Sequence, residues 1–436
     1  MPSRRKYDEA QLDYTDLQPR NFSRFGLLNN PFPAVPVAAD KVRIFVDRLR
    51  EIKAVEYVTK DAFTTGKTQT LIIEGLYGNG KSCLLKYVRT KINTQLATNE
   101  DRKGIAVYVP TPGLFLKDLF AGILSDLGTN FLRSVAYRII VNKIGSSRLV
   151  NYIFDIEKSN FKQIANQVEK DPLLLSRTFS RKAFRVKDLY HDVESEFSVE
   201  FPEFLHATLS LADDETLMTA WRWLLGEFLS REERSDIGVV REIEDSDDVL
   251  KAFASLRQIL KEAGFDVIYV LIDEFEKIAE LRGASGAARK SMYFDDIRHL
   301  IDQNTKGVCL IACVTPTGTA LIQRTGHPLS RRLLGNVEKL SLFGEDETYR
   351  LIEDYLRLGR EEYESVTGKQ LRSSGGIEPF TKRSIKIITS LANGNVSEIL
   401  RTCKKLLDAA ADRKADLIDN AEAVYKLLGI EAPTAT

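Results

Sequence analysis

Residues 68–82 read TQTLIIEGLYGNGKS. An apolar, β-branched run closes on Gly75, a glycine-rich turn follows, and KSCLLKYVRTKINTQL (81–96) then takes up helical spacing. Strand, glycine turn and helix in that order limit what the chain can build more than any other stretch. In such a turn the backbone N–H groups converge, the positive end of the helix faces them, and glycine keeps side chains out of the way of an anion. Gly75 to Ser82 satisfies GxxxxGK[ST]. A second tripeptide of the same kind, Gly66-Lys67-Thr68, lies fourteen residues earlier. It has no glycine five residues before Gly66 and runs into a strand rather than a helix, so it reads as a turn entering that strand.

The first requirement of a nucleoside triphosphate site is therefore met. Lys81 is expected to reach the β- and γ-phosphates and the Ser82 hydroxyl to meet Mg²⁺. Gly75, Gly78, Asn79, Gly80, Lys81, Ser82 and Cys83 form the expected nucleotide-contacting set. Turnover needs a second constellation, and VIYVLIDEFEKI (267–278) supplies its residue types. Asp273 ends an apolar strand, where its carboxylate would share the metal with Ser82. Glu274 beside it can orient or deprotonate the attacking water. The cofactors implied are ATP and Mg²⁺.

The strands themselves predict the architecture. TQTLIIEG, GIAVYVPTP (104–112), DVIYVLIDEF and GVCLIACVTPTG (307–318) are apolar on both faces and alternate with helical patterns. That is the signature of a parallel α/β sheet covered on both sides. Between about 113 and 260 the spacing is mostly helical, as in LFLKDLFAGILSDLG and ETLMTAWRWLLGEFL, and from Gly344 to Gly429 it is helical again. The expected organisation is a flexible arm over 1–24, a nucleotide-binding core over 25–342 with a helical insertion at about 113–260, a helical lid over 343–430, and a short tail over 431–436.

Three further positions follow from this plan. If the strand of 307–314 lies between the P-loop strand and the Asp-Glu strand, Thr315 comes beside the γ-phosphate and can position the water; it can equally cap a turn. In HPLSRRLLG (327–335), Arg331 or Arg332 can enter a neighbouring subunit's site, Arg332 being preferred; a solvated arginine pair is the alternative. In LANGNVSEILRTCKKLL (391–407), Gly394-Asn395 marks a turn and Arg401 could reach phosphates from the lid, or simply face solvent.

These pieces in this order resemble an AAA+ ATPase: P-loop, Asp-Glu strand, sensor-like Thr, Arg pair, and a helical lid with Gly-Asn. Within that class, Trp223-Leu224-Leu225-Gly226-Glu227, LRQILKEAGF, IDEFEKI followed by YFDDIRHLID, the VTPTG strand end and the long insertion are similar to the P-loop ATP-binding proteins of bacteriophage-exclusion (BREX) defence systems. More distantly, NPFP and the lid resemble origin-recognition and transposition-regulator ATPases. The resemblance covers roughly residues 25–345. It implies an ATP-hydrolysing switch or motor that assembles as a homo-oligomer with partner proteins of a multi-component system and acts on DNA or DNA-bound partners. A remodelling or signalling ATPase with no direct DNA contact is the other reading it allows. Ser397 stands where many AAA+ lids carry Arg, and no winged-helix pattern follows.

Composition narrows the partners. Lys+Arg and Asp+Glu are both 62, so a basic footprint must be local. One candidate is SRTFSRKAFRVKD (176–188), where Arg177, Arg181, Lys182, Arg185 and Lys187 interleave with Phe179 and Phe184. Basic residues grip a phosphate backbone and aromatics stack on bases, although a solvated basic helix face has the same look. Trp221 and Trp223 fit a core or an interface better than base stacking. Cys309 and Cys313 form a CxxxC without a second pair or a nearby His, so buried small residues in a reducing compartment are expected rather than zinc. No apolar run approaches a membrane span and the first 20 residues carry no signal-peptide core, which points to the cytoplasm without a membrane.

Overall fold

The structure, a computed structural model, describes residues 20–33, 48–98, 102–144, 185–281, 283–371 and 376–429. It divides into two compact units, 39–341 and 1–38 together with 342–436.

The first unit is built on five parallel strands: β1 (Gln69–Glu74), β2 (Lys103–Val109), β3 (Phe265–Ile272), β4 (Val308–Val314) and β5 (Val337–Lys339), in the order β2-β3-β4-β1-β5. The apolar runs become central strands because both of their faces are covered. On one side, Leu71, Ile73, Tyr269, Leu271, Ile311 and Cys313 pack against helices α1 (Leu49–Thr65) and α2 (Lys81–Gln95). On the other, Ile72, Val107, Val270, Ile272, Leu310 and Val314 join one continuous core with the helices of the insertion. Those helices are α3 (Leu116–Leu127), α4 (Thr129–Ile144), α5 (Tyr190–Glu196), α6 (Pro202–Ser210), α7 (Leu217–Leu224), α8 (Arg231–Asp236) and α9 (Ser246–Glu262). Burying large aliphatic side chains contributes about 1.5–3 kcal/mol apiece, so this shared core ties the insertion to the sheet. Trp223 lies in it, 1% exposed, with its indole N–H donating to Arg241 O at 3.1 Å. Trp221 packs half-buried beside the same core. Cys309 and Cys313 are buried along β4.

The strand pattern read over 307–318 stops at Val314. Pro316 opens helix α11 (Pro316–Arg324), which follows α10 (Gly283–Gln303) and β4 and precedes the short α12 (Pro328–Leu333). Proline is suited to the first helical turn, where its missing N–H costs nothing, so PTG starts a helix instead of ending a strand. Gly66 adopts φ 68° and closes α1, its N–H donating to Ala62 O at 3.0 Å. The first GK pair thus sits at the end of a helix, the opposite of an anion-binding terminus. The three-residue β5 had no sequence signature, being too short for any alternation to register.

The second unit contains α13 (Glu345–Thr367), α14 (Lys382–Leu391), α15 (Val396–Asp412) and α16 (Ala421–Leu428), with Ile352, Leu356, Ile388, Ile399, Cys403 and Leu406 at its centre. Gly394 makes the turn before α15 with φ 68°; a Cβ there would lie 2.5 Å from Phe343 O. Residues 20–33 belong to this unit. The reason is aromatic and polar anchoring. The Phe32 ring lies 5.6 Å from Tyr355 and 5.9 Å from Phe380, and Asn30 Nδ2 donates to Lys404 O (2.9 Å) and Asp408 Oδ1 (2.7 Å). Arg20 and Arg24, expected in a flexible arm, pair with Asp412 and Asp416.

Candidate nucleotide site

β1, β4 and β3 are neighbours, and their carboxyl ends carry Gly75, Thr315 and Asp273 in adjacent positions. This is the sheet order that the Thr315 reading required. Ligands of open α/β sheets bind outside this edge. The Gly75 N–H donates to Val314 O at 3.0 Å, fastening the P-loop to the end of β4. The Asp273 N–H likewise donates to Val109 O at 2.9 Å.

The loop has the backbone that its glycines permit. Gly78 and Gly80 adopt φ 75° and 88°, in the left-handed region that side chains avoid. Gly80 caps the N-terminus of the fifteen-residue α2, so the helix's free N–H groups face the loop. Lys81 is 7% exposed, and its Nζ donates to Gly75 O (2.8 Å) and Leu76 O (3.1 Å). Ser82 is exposed at the helix start and Cys83 is half-buried behind it; burial pushes the Cys83 thiol up, away from thiolate reactivity. The Asn79 side chain is 1% exposed, and its Nδ2 donates to Leu340 O and Ser341 O at 3.1 and 3.2 Å.

Behind the loop lies a network with no sequence signal. Buried Arg48 donates to Asn79 O at 2.9 Å and pairs with Glu51 at 3.2 Å, and Glu51 accepts from the Ser341 N–H and hydroxyl at 3.2 and 3.0 Å. Burial alone would raise the Glu51 carboxyl. Its own N–H, those two Ser341 donors and Arg48 outweigh that and hold it below its ordinary value. A buried pair of this kind fixes geometry more than it stabilises.

Asp273, 4% exposed, accepts the Tyr108 hydroxyl on Oδ2 at 3.0 Å and the Glu274 N–H on Oδ1 at 3.0 Å. Burial, then the Asp273 carboxylate, push the Tyr108 phenol up, and the Ser82 hydroxyl acts in the opposite sense. Tyr108 therefore stands between the two expected metal ligands, a position that nothing in YVPTP suggested. Hard oxygen donors, one hydroxyl and one carboxylate, fit Mg²⁺, which completes its shell with waters and phosphate oxygens.

Glu274 has φ 49° and ψ 38°. A left-handed backbone costs a non-glycine residue about 1–2 kcal/mol, and such outliers gather at functional sites. The turn takes Glu274 out of strand alternation, and its carboxylate pairs with Lys277. Thr315, 6% exposed, caps α11 by accepting the Gly318 N–H at 3.1 Å. The cap uses one lone pair of the hydroxyl, which also acts on the buried Glu276 carboxyl. Glu276, one turn past Asp273, is 1% exposed.

The more distant candidates are placed differently. Arg332 is paired with Asp302 of α10, whereas Arg331 is exposed and has no ion pair among the described residues. Arg401 belongs to the second unit and pairs with Glu398 at 3.0 Å. Arg177, Arg181 and Lys182 lie outside the described residues. Arg185 pairs with Glu215 at 3.2 Å, and Lys187 is exposed on the turn Val186–Leu189.

A sheet in this order, with a P-loop after β1, Asp-Glu after β3 and a capping threonine after β4, defines an AAA+ P-loop ATPase fold with a helical insertion and a helical second unit. The family model described as BREX system ATP-binding protein BrxC/D matches residues 38–339. The chain belongs to that family, an ATP-binding component of a defence system. No curated protein matches it. Among solved structures it is similar to the Aeropyrum pernix Orc1 protein in complex with DNA, at 12% identity and TM-score 0.39 over 93% of this chain and 68% of that one. It is also similar to the Thermotoga maritima RuvB Holliday junction branch migration motor, at 15% identity and TM-score 0.23 over 42% of this chain and 57% of that one. No helix among the described residues is long and apolar enough to cross a membrane.

Proposed function

We propose that this chain is a cytoplasmic, Mg²⁺-dependent ATPase that assembles as a homo-oligomer and acts on DNA or DNA-bound partners of its defence system. The observation that carries the hydrolytic part is the meeting of Lys81, Ser82, Asp273 and Glu274 along one sheet edge. When bound, the metal neutralises charge on the phosphates. Gly78 and Gly80 shape the anion cradle, Lys81 turns from the Gly75 and Leu76 carbonyls to the γ-phosphate, and Glu274 accepts the proton of the attacking water. Thr315 directs that water with its hydroxyl, which turns to it from the Glu276 carboxyl. Exposed Arg331 is better placed than Arg332 to enter a neighbouring subunit, since Arg332 must first leave Asp302.

Tyr108→Phe tests the metal edge. Loss of the hydroxyl leaves Asp273 Oδ2 without its donor, and removing such a supporting bond typically costs 10–100-fold in metal affinity. The Mg²⁺ concentration that half-saturates fluorescent ATP binding should rise by about tenfold with an unchanged melting temperature. An unchanged Mg²⁺ requirement removes Tyr108 from this role.

The DNA reading is supported by the basic and aromatic residues of 176–188; the Arg185–Glu215 pair favours the alternative, an ATPase that meets only protein partners. Particle size and ATPase rate, each measured with and without ATP and DNA, decide between them. ATP-dependent assembly and stimulation by DNA at low salt are expected. Turnover indifferent to single- and double-stranded DNA rejects direct DNA action, and a monomer under every condition rejects the oligomer.

A further inference from the structure

The acid that the ATPase assignment leaves unused is Glu276. The turn Phe275–Ile278 carries it beneath the sheet edge, where it is 1% exposed. Its Oε2 is buried without a hydrogen-bond partner, an arrangement that costs free energy and is uncommon in a folded core. No salt bridge relieves it among the described residues. The charged and titratable groups that act on it or feel it come from every neighbouring element: Lys81 from α2, Tyr77 from the P-loop and Cys313 from β4. Burial pushes the Glu276 carboxyl up; its own N–H, then Lys81, then the Thr315 hydroxyl and N–H pull it back.

The opposing helix is shaped to admit this side chain. A Cβ on Gly318 would lie 2.4 Å from Glu276 Cβ and 3.2 Å from Thr315 Oγ1. The residue whose N–H holds the Thr315 hydroxyl is thus glycine at the place where Glu276 passes. One carboxyl therefore borders both the Thr315 turn and the phosphate-binding lysine.

We propose that Glu276 is a positioning residue of this site: it braces the Thr315 turn and offsets part of the Lys81 charge, so that it speeds turnover while moderating the preference for ATP over ADP. The inference rests on the ATPase reading above. Two effects of opposite sign follow. An acid beside Lys81 repels a γ-phosphate more than it repels the shorter ADP, so removing its charge tightens ATP binding selectively. The same change loosens the brace on Thr315 and slows turnover. A side chain needed only for packing would behave otherwise, lowering the melting temperature and weakening both nucleotides together.

The test uses the full chain and E276Q, which keeps shape and removes charge. ATPγS and ADP affinities are measured by calorimetry, kcat by steady-state turnover, and stability by thermal melting. ATPγS should bind about threefold tighter with ADP little changed, and kcat should fall about tenfold or more while the melting temperature holds. T315V and T315V/E276Q should show kcat losses that do not multiply, as expected for two residues acting through one turn. An unchanged ATPγS-to-ADP ratio with kcat near that of the wild type overturns the proposal, and so do losses that multiply. If E276Q does not fold, G318A, whose Cβ would press on Glu276 Cβ and Cγ and displace the side chain, is read for the same ratio. Wild-type protein that binds both nucleotides without hydrolysing ATP would overturn the hydrolytic reading and leave the affinity ratio to decide on Glu276. Protein that binds neither overturns both.

Discussion

Lys81→Ala should abolish ATP binding under conditions that saturate the wild type, with a loss of affinity of roughly 100-fold or more. Charge-assisted hydrogen bonds to the β- and γ-phosphates contribute about 1.5–3 kcal/mol apiece, and each 1.4 kcal/mol is a factor of ten. The lysine is the cation that the loop presents, held in place by two carbonyls of the loop itself. Alanine is the best helix former and suits the start of α2, while the left-handed turns at Gly78 and Gly80 do not depend on the side chain. The variant should therefore keep its far-ultraviolet circular dichroism, and equilibrium binding of a fluorescent ATP analogue is the deciding measurement. Retained affinity would remove the phosphate role from Gly75–Ser82 altogether.

Glu274→Gln should give the opposite split: nucleotide binding intact and hydrolysis reduced by about 10²–10⁴-fold, the usual worth of a positioned general base. Glutamine keeps the volume and can still touch a water, but it cannot take the proton. The substitution also removes the exposed pairing with Lys277, and an ion pair in that setting contributes little to stability. Single-turnover phosphate release, compared with binding measured on the same preparation, separates the two effects. Undiminished turnover would dismiss Glu274 and direct attention to the buried acid two residues further on.

The nucleotide-binding half of the molecule was largely legible because its chemistry is local. Glycines at 75, 78 and 80 must sit where an anion meets backbone, and Asp273-Glu274 must follow an apolar strand. Such demands leave a pattern that a linear reading can find. The sheet order could only be supposed, since it depends on pairings between strands as far apart as Ile72 and Val337, for which the sequence carries no register. Thr315 illustrates the limit: its place beside the P-loop strand required a strand order that residue types do not encode. Tyr108, Arg48 and Glu276 were missed for the same reason. Each is an ordinary residue in its own segment and acquires its meaning from a distant partner: Asp273, Ser341 or Gly318. The start of the chain shows another limit. Charge without periodicity reads as a flexible arm, while Arg20 and Arg24 pair with Asp412 and Asp416, partners at the far end of the sequence that no periodicity announces.

The left-handed backbone at Glu274 has a consequence for anyone who would engineer this protein. Glycine adopts that conformation without steric penalty, so a campaign selecting for heat resistance alone would favour Glu274→Gly and would collect sturdier chains without the carboxylate proposed as the base. The reverse also holds. The proposed role asks this position to bear a strained turn and still carry a carboxylate, which makes melting temperature a misleading guide to which variants of this chain would still work.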